Sequence, residues 1–132
     1  MLNGRPSFGT AINARGQVAG YALDRNGDDR AFLYSGGKMS AIGSLGSGVA
    51  RATGINNAGT VVGYSTQANH VPGASFSHAF LYRDGVMHDL NDLVARRGIW
   101  TVLDAVGIND AQQIAAYACT EVGDCRAVLL EP

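Results

Sequence analysis

Apolar residues in this chain come in short alternating runs, cut by clusters of Gly, Asn and Asp. In the middle of the chain Arg51-Ala52-Thr53-Gly54-Ile55 is one extended run and Asn56-Asn57-Ala58-Gly59 a turn. Thr60 to Ser65 is a β-branched second run and His78 to Tyr82 a third; Arg83-Asp84-Gly85 is a turn and Val86 to Leu90 a fourth run. β-branched and aromatic residues bounded by turn formers predict strands. In the Ile-Asn-x-x-Gly turns, the Asn side chain can bond the backbone two residues on. Gly there takes the left-handed conformation without a steric penalty. One stretch breaks the pattern. Asn91-Asp92-Leu93-Val94-Ala95-Arg96-Arg97-Gly98 offers an Asn or Asp cap, basic residues in a last turn and a closing Gly. It predicts one short helix near 91–97, lying over one end of the strands.

The same pattern recurs three times. Ile12-Asn13-Ala14-Arg15-Gly16-Gln17-Val18 matches Ile55-Asn56-Asn57-Ala58-Gly59-Thr60-Val61 and Ile108-Asn109-Asp110-Ala111-Gln112-Gln113-Ile114. A second landmark reads Ala31-Phe32-Leu33-Tyr34, Ala79-Phe80-Leu81-Tyr82 and Ala127-Val128-Leu129-Leu130, its alanines 48 residues apart each time. The repeats run over about 8–48, 49–99 and 100–132, as one repeat domain. Gln112 stands where the other copies have Gly, so its turn is expected to differ.

Four short antiparallel strands in about 48 residues suit a β-propeller blade. The expected fold is all-β, with three tandem four-stranded propeller-blade-like repeats. A compact pseudo-threefold β-trefoil or β-prism is the alternative. Phe32, Phe80 and Val128, with Tyr21, Tyr64 and Tyr117, are the expected inter-blade packing residues. The third copy stops after its third strand, and Leu2 precedes Asn13 by the same 11 residues as Leu45 precedes Asn56. That phase suits a ring closed by its own termini, or the last three blades of a longer ring. Two chains would supply six blades as a homodimer.

Composition narrows the functional classes. Hydrophobic residues at 46% and charged residues at 16% exclude a disordered chain. A net charge of −1 gives no general grip on nucleic acid or anionic lipid, and no apolar run is long enough for a membrane-spanning helix. The only cysteines, Cys119 and Cys125, stand at the mouths of a hairpin loop. They read as a disulfide, against two reduced thiols as the alternative; a bridge argues for an oxidising compartment. Met1 to Arg5 contain no apolar segment of a signal peptide.

With these residues in view, the chain resembles the HAF family of bacterial extracellular repeats. The resemblance rests on the triplet His78-Ala79-Phe80 followed by Leu81-Tyr82-Arg83-Asp84-Gly85, on the Ile-Asn-x-x-Gly-x-Val-x-Gly segments, and on Asp89-Leu90-Asn91 leading to Gly98-Ile99-Trp100. It covers the chain from about Thr10 onward, and Ala127-Val128-Leu129-Leu130 is similar to a C-terminal repeat ending. Arg30 and Arg126 replace His before the triplet, and Val128 replaces Phe. The resemblance implies an exported repeat protein of the cell surface or extracellular space and carries over no catalytic residue.

Candidate chemistry is sparse. Asp24, Asn26 and Asp28 alternate like the oxygen ligands of a calcium loop, with a solvated hairpin loop as the competing reading. Asp29 stands where such loops have Gly. His70, His78 and His88 form no metal-binding spacing, and no GxSxG elbow or P-loop is present. The long loop 67–77, through Asn69, His70 and Phe76, is the expected ligand or partner contact, and Trp100 is a candidate stacking residue or a core residue. These features favour a non-enzymatic module for protein interaction or surface assembly, with a lectin-like glycan-binding domain as the alternative.

Overall fold

The computed structural model describes residues 6–67, 77–94 and 98–132. Their strands are β1 (Ser7–Ile12), β2 (Val18–Leu23), β3 (Asp29–Ser35), β4 (Lys38–Gly43), β5 (Gly46–Ile55), β6 (Val61–Gln67), β7 (Ser77–Arg83), β8 (Val86–Asp89), β9 (Thr101–Ile108), β10 (Ile114–Cys119) and β11 (Cys125–Leu130). They form three antiparallel meanders: β1-β2-β3-β4, β5-β6-β7-β8 and the three-stranded β9-β10-β11. The fold is all-β and its sheets follow the three repeats. They stack in chain order without closing: β5 lies against β1, β2 and β3, and β9 against β5, β6 and β7. No strand pairing joins the third sheet to the first among the described residues, so the ring closure suggested by the strand phase does not form there.

One loop geometry makes five of the hairpins, at 13–17, 24–28, 56–60, 109–113 and 120–124. In each, the first residue's N–H donates to the fifth carbonyl and the fourth N–H donates to the first carbonyl. The first side chain (Asn13, Asp24, Asn56, Asn109 or Thr120) accepts the N–H of the fifth residue. The fourth residue takes positive φ, the place where three-residue hairpin loops favour Gly. Gln112 adopts it as well, at φ 63°. The expected departure of that turn is therefore corrected: Asn109 holds the loop through the N–H groups of Ala111 and Gln113, both at 3.0 Å. The β3–β4 and β7–β8 connections are two-residue turns with both central residues at positive φ, Gly36-Gly37 and Asp84-Gly85.

Two apolar layers hold the stack. Between the first and second sheets lie Ala19, Ala31 and Ile42 against Ala52, Ile55, Val61 and Phe80. Between the second and third lie Val62, Ala79, Leu81 and Leu90 against Val102, Ala105, Ile114, Ala116 and Ala118. Val61 and Val62 are neighbours in β6 and point to opposite faces, as strand geometry requires. The middle sheet is thus buried on both sides; on the outer face of the first sheet Ala22 and Phe32 are buried as well, although Ile12 on the same face is exposed.

The helix is shorter than expected. It is a single turn, α1 (Leu90–Leu93), and Ala95 to Arg97 lie outside the described residues. Its cap is Asp89, not Asn91 or Asp92, and Val94 rather than Gly98 ends it. Asn91 is drawn off by a stronger task. Its side chain donates to the Val102 carbonyl at 3.0 Å and accepts the Val102 N–H at 2.8 Å, extending the β9 ladder onto the second repeat.

Candidate functional site

The chemistry of this molecule is concentrated where one repeat meets the next. β1 and β5 each carry a bulge, which skips Thr10 in one pairing and Thr53 in the other. A bulge re-aims its side chain. The Thr10 hydroxyl donates to the Ala52 carbonyl of the second sheet at 2.6 Å, and the Thr53 hydroxyl donates to the Ala105 carbonyl of the third. The loop asparagines repeat the connection: Asn13 Nδ2 donates to the Asn56 carbonyl (2.9 Å) and Asn56 Nδ2 to the Asn109 carbonyl (3.1 Å). The Ala14 N–H donates to Asn57 Oδ1, and the Asn57 N–H donates to Asp110 Oδ1.

Five residues before each loop asparagine stand Phe8, Arg51 and Asp104. Arg51 reaches back to the first sheet, where its guanidinium lies 4.2 Å from the centre of the Tyr21 ring and 2.6 Å from Asp29. The hydrogen bond to Asp29 raises the Arg51 pKa, against the opposing effect of burial. Burial raises the Tyr64 phenol; Arg51 opposes this and the Asp104 charge adds to it. Burial also raises the Asp104 carboxyl, whose Oδ1 has no hydrogen-bond partner.

The stack ends expose what its interior hides. On the first sheet Ile12 is 69% exposed, although its counterpart Ile55 is 7% exposed. On the third sheet Leu129 is 62% exposed, against 6% for Leu81. Tyr34 at one end, and Val106 and Tyr117 at the other, are exposed too, and Phe8 is exposed where its ring stacks on Tyr21 at 5.0 Å. Expected inter-blade packing holds for Phe80, in the first apolar layer, and in part for Val128, which packs on the second; Phe32 is buried but belongs to neither layer. Tyr21 and Tyr64 are partly buried. Tyr117 departs from expectation because no described sheet lies over its face.

The sequence candidates do not converge. Asn69, His70 and Phe76 lie outside the described residues. Asp24 is engaged within its own loop: Oδ1 accepts the N–H groups of Asn26 and Asp28, and Oδ2 pairs with Arg30 at 2.7 Å. The Asp28 N–H, with Arg30 and Asn26, holds the Asp24 pKa low against desolvation. No group of three or more His, Cys, Asp or Glu positioned for a metal is found among the described residues. Trp100 is partly buried on the second apolar layer, with the Arg126 guanidinium 5.2 Å from its ring centre. His78 Nδ1 lies 2.6 Å from Asp89 Oδ2, while His88 stands opposite Leu81. Cys119 and Cys125 face each other across β10–β11 and are joined in a disulfide. No described helix is long and apolar enough to cross a membrane.

Sequence reasoning missed the Thr10/Thr53 bulges, Arg51 and Asn91. A usable signal was present for the first pair: a Thr recurs three residues before Asn13 and Asn56. No family model, curated protein or solved structure significantly matches this chain.

Proposed function

We propose that this chain is a non-enzymatic, exported repeat module of the HAF type, whose blade-like sheets serve protein interaction or surface assembly. The observation that carries this reading is the exposure of large apolar side chains at the ends of the stack, Ile12 and Tyr34 at one and Leu129 and Val106 at the other. Exposed apolar side chains on such faces are features of association sites. The disulfide supports export, since such bonds persist in oxidising compartments. The resemblance in sequence supports the same compartment.

A photo-crosslinker placed at Leu129 or Ile12, used on the surface of producing cells, tests the reading. It predicts a protein adduct from either position, from this chain or another protein, together with a blank glycan array. Absence of any protein adduct, combined with binding on the array, replaces it with the lectin-like alternative.

A further inference from the structure

We propose that the Cys119–Cys125 disulfide is a thiol–disulfide exchange site, which a dithiol reduces while the fold stays intact, and not a brace of the third sheet.

The first repeat builds the same hairpin without the bond. β2 and β3 pair without a register shift from Val18 and Tyr34 to Leu23 and Asp29. β10 and β11 pair in the same way from Ile114 and Leu130 to Cys119 and Cys125. The cysteines thus stand where the first repeat has Leu23 and Asp29, which share no covalent link. Beyond that rung the two loops agree bond for bond. The Asp24 N–H donates to the Asp28 carbonyl at 2.9 Å, and the Thr120 N–H donates to the Asp124 carbonyl at 2.8 Å. The Gly27 and Gly123 N–H groups each donate to the first carbonyl of their loop at 3.1 Å, and both glycines take positive φ. The side-chain cap recurs as well, from Asp24 in one loop and Thr120 in the other. Register and turn are therefore set by backbone bonds and Gly, and the disulfide repeats a constraint already met. What it adds through the unfolded chain is small for a bond of its kind, because its sequence separation is only 6.

The bond is also within reach of solvent. Cys125 is exposed and Cys119 partly so. Thr101 shares a cross-strand row with both cysteines, and with Thr120 it lines a cleft of about 350 Å³ at this end of the sheet. Exposed disulfides are the labile and regulatory class, whereas structural ones resist reduction.

The exchange runs in two steps. A thiolate of the dithiol attacks the exposed Cys125 Sγ; a sulfur–sulfur bond forms between them as the Cys119–Cys125 bond breaks, and Cys119 leaves as a thiolate. The second thiolate of the dithiol then attacks its own partner sulfur, which closes the reductant's disulfide and releases Cys125. Two electrons pass from the dithiol to the cysteine pair, and the two protons that the dithiol gives up end on Cys119 and Cys125. The reduced Cys125 thiol has the Gly123 carbonyl 3.7 Å away as an acceptor.

Timed alkylation tests the proposal. Iodoacetamide alone adds no label to the folded protein, read by mass. In dithiothreitol at neutral pH the native chain gains two labels, at a rate within about tenfold of that of the chain unfolded in urea. Its far-UV circular dichroism spectrum stays unchanged throughout. A bond reached only by global unfolding reacts about a thousandfold or more slower than in the unfolded chain, and any native rate below the tenfold window overturns the proposal. Labels gained before the reductant is added overturn it too, since there is then no bond to exchange. The double variant Cys119→Ser, Cys125→Ser keeps the wild-type spectrum; loss of the sheet signal in that variant, or in the reduced chain, shows that the disulfide is a brace after all.

Discussion

Gly20 faces Phe32 across the first sheet, Gly63 faces Phe80 across the second, and Ala116 faces Val128 across the third. The pairs covary for a steric reason. A Cβ on Gly63 would press on the Arg51 carbonyl oxygen and stand 2.9 Å from the Phe80 ring. In the third sheet the ring is gone, and the β9–β10 pairing carries a second register shift between Tyr117 and Ala118, so a methyl group fits. This accounts for the Val128 that departs from the repeat pattern. Gly63→Ala is expected to cost about 2 kcal/mol or more. Added to Phe80→Val, it should cost less than the sum of the single changes in a urea-denaturation cycle, because the ring contact is already lost. Asp104 makes a second prediction at this scale. Burial raises its pKa, so the unfolded chain ionises first as pH rises. Stability is fully present below the ordinary carboxylate range and is lost as pH rises through the elevated folded value. Asp104→Asn should flatten that loss and raise the melting temperature at neutral pH.

The five like loops work as elements, and three of them carry the contacts between repeats. Asn56 is the most heavily used, since it is buried, accepts the Thr60 N–H at 3.0 Å and donates to the Asn109 carbonyl. Asn56→Ala should cost about 2 kcal/mol, measured by chemical denaturation, because two buried bonds are broken and a backbone donor loses its partner. In the third copy the strain runs the other way. Gln112→Gly should stabilise by about 1 kcal/mol, since the left-handed conformation no longer crowds a Cβ. The turns and strands were legible because they depend on neighbours in sequence. The helix was legible as a break in the pattern but not in its length or cap. Asn91 is claimed by Val102, a contact across the sheet stack that no local signal marks.

At the scale of the whole molecule, the middle sheet owes both its buried faces to its neighbours. Stability in such an array resides in the interfaces, so a repeat does not outlast the loss of the next. Trp100 packs in the third sheet's interface with the second, and it is the only tryptophan. Its fluorescence and the far-UV circular dichroism signal, which reports all three sheets, should therefore follow one coincident urea transition. Separate midpoints would show instead that the repeats unfold independently. By the same reasoning, Ile12 and Leu129 are interior residues by kind and surface residues only by position.

The sequence alone determined the three repeats, their strands, the hairpin loops and the two cysteines that face each other across a hairpin. All of these follow from alternation, turn chemistry and spacing within a few residues. Tertiary structure alone decided that the sheets stack in chain order with no pairing between the first and third among the described residues, that a bulged Thr reaches the next repeat, and that Asp24 serves Arg30 and its own loop. It also decided which apolar side chains remain exposed. Those outcomes depend on how separate sheets meet in space, and two residues at matching repeat positions acquire opposite fates when only one has a neighbour to cover it.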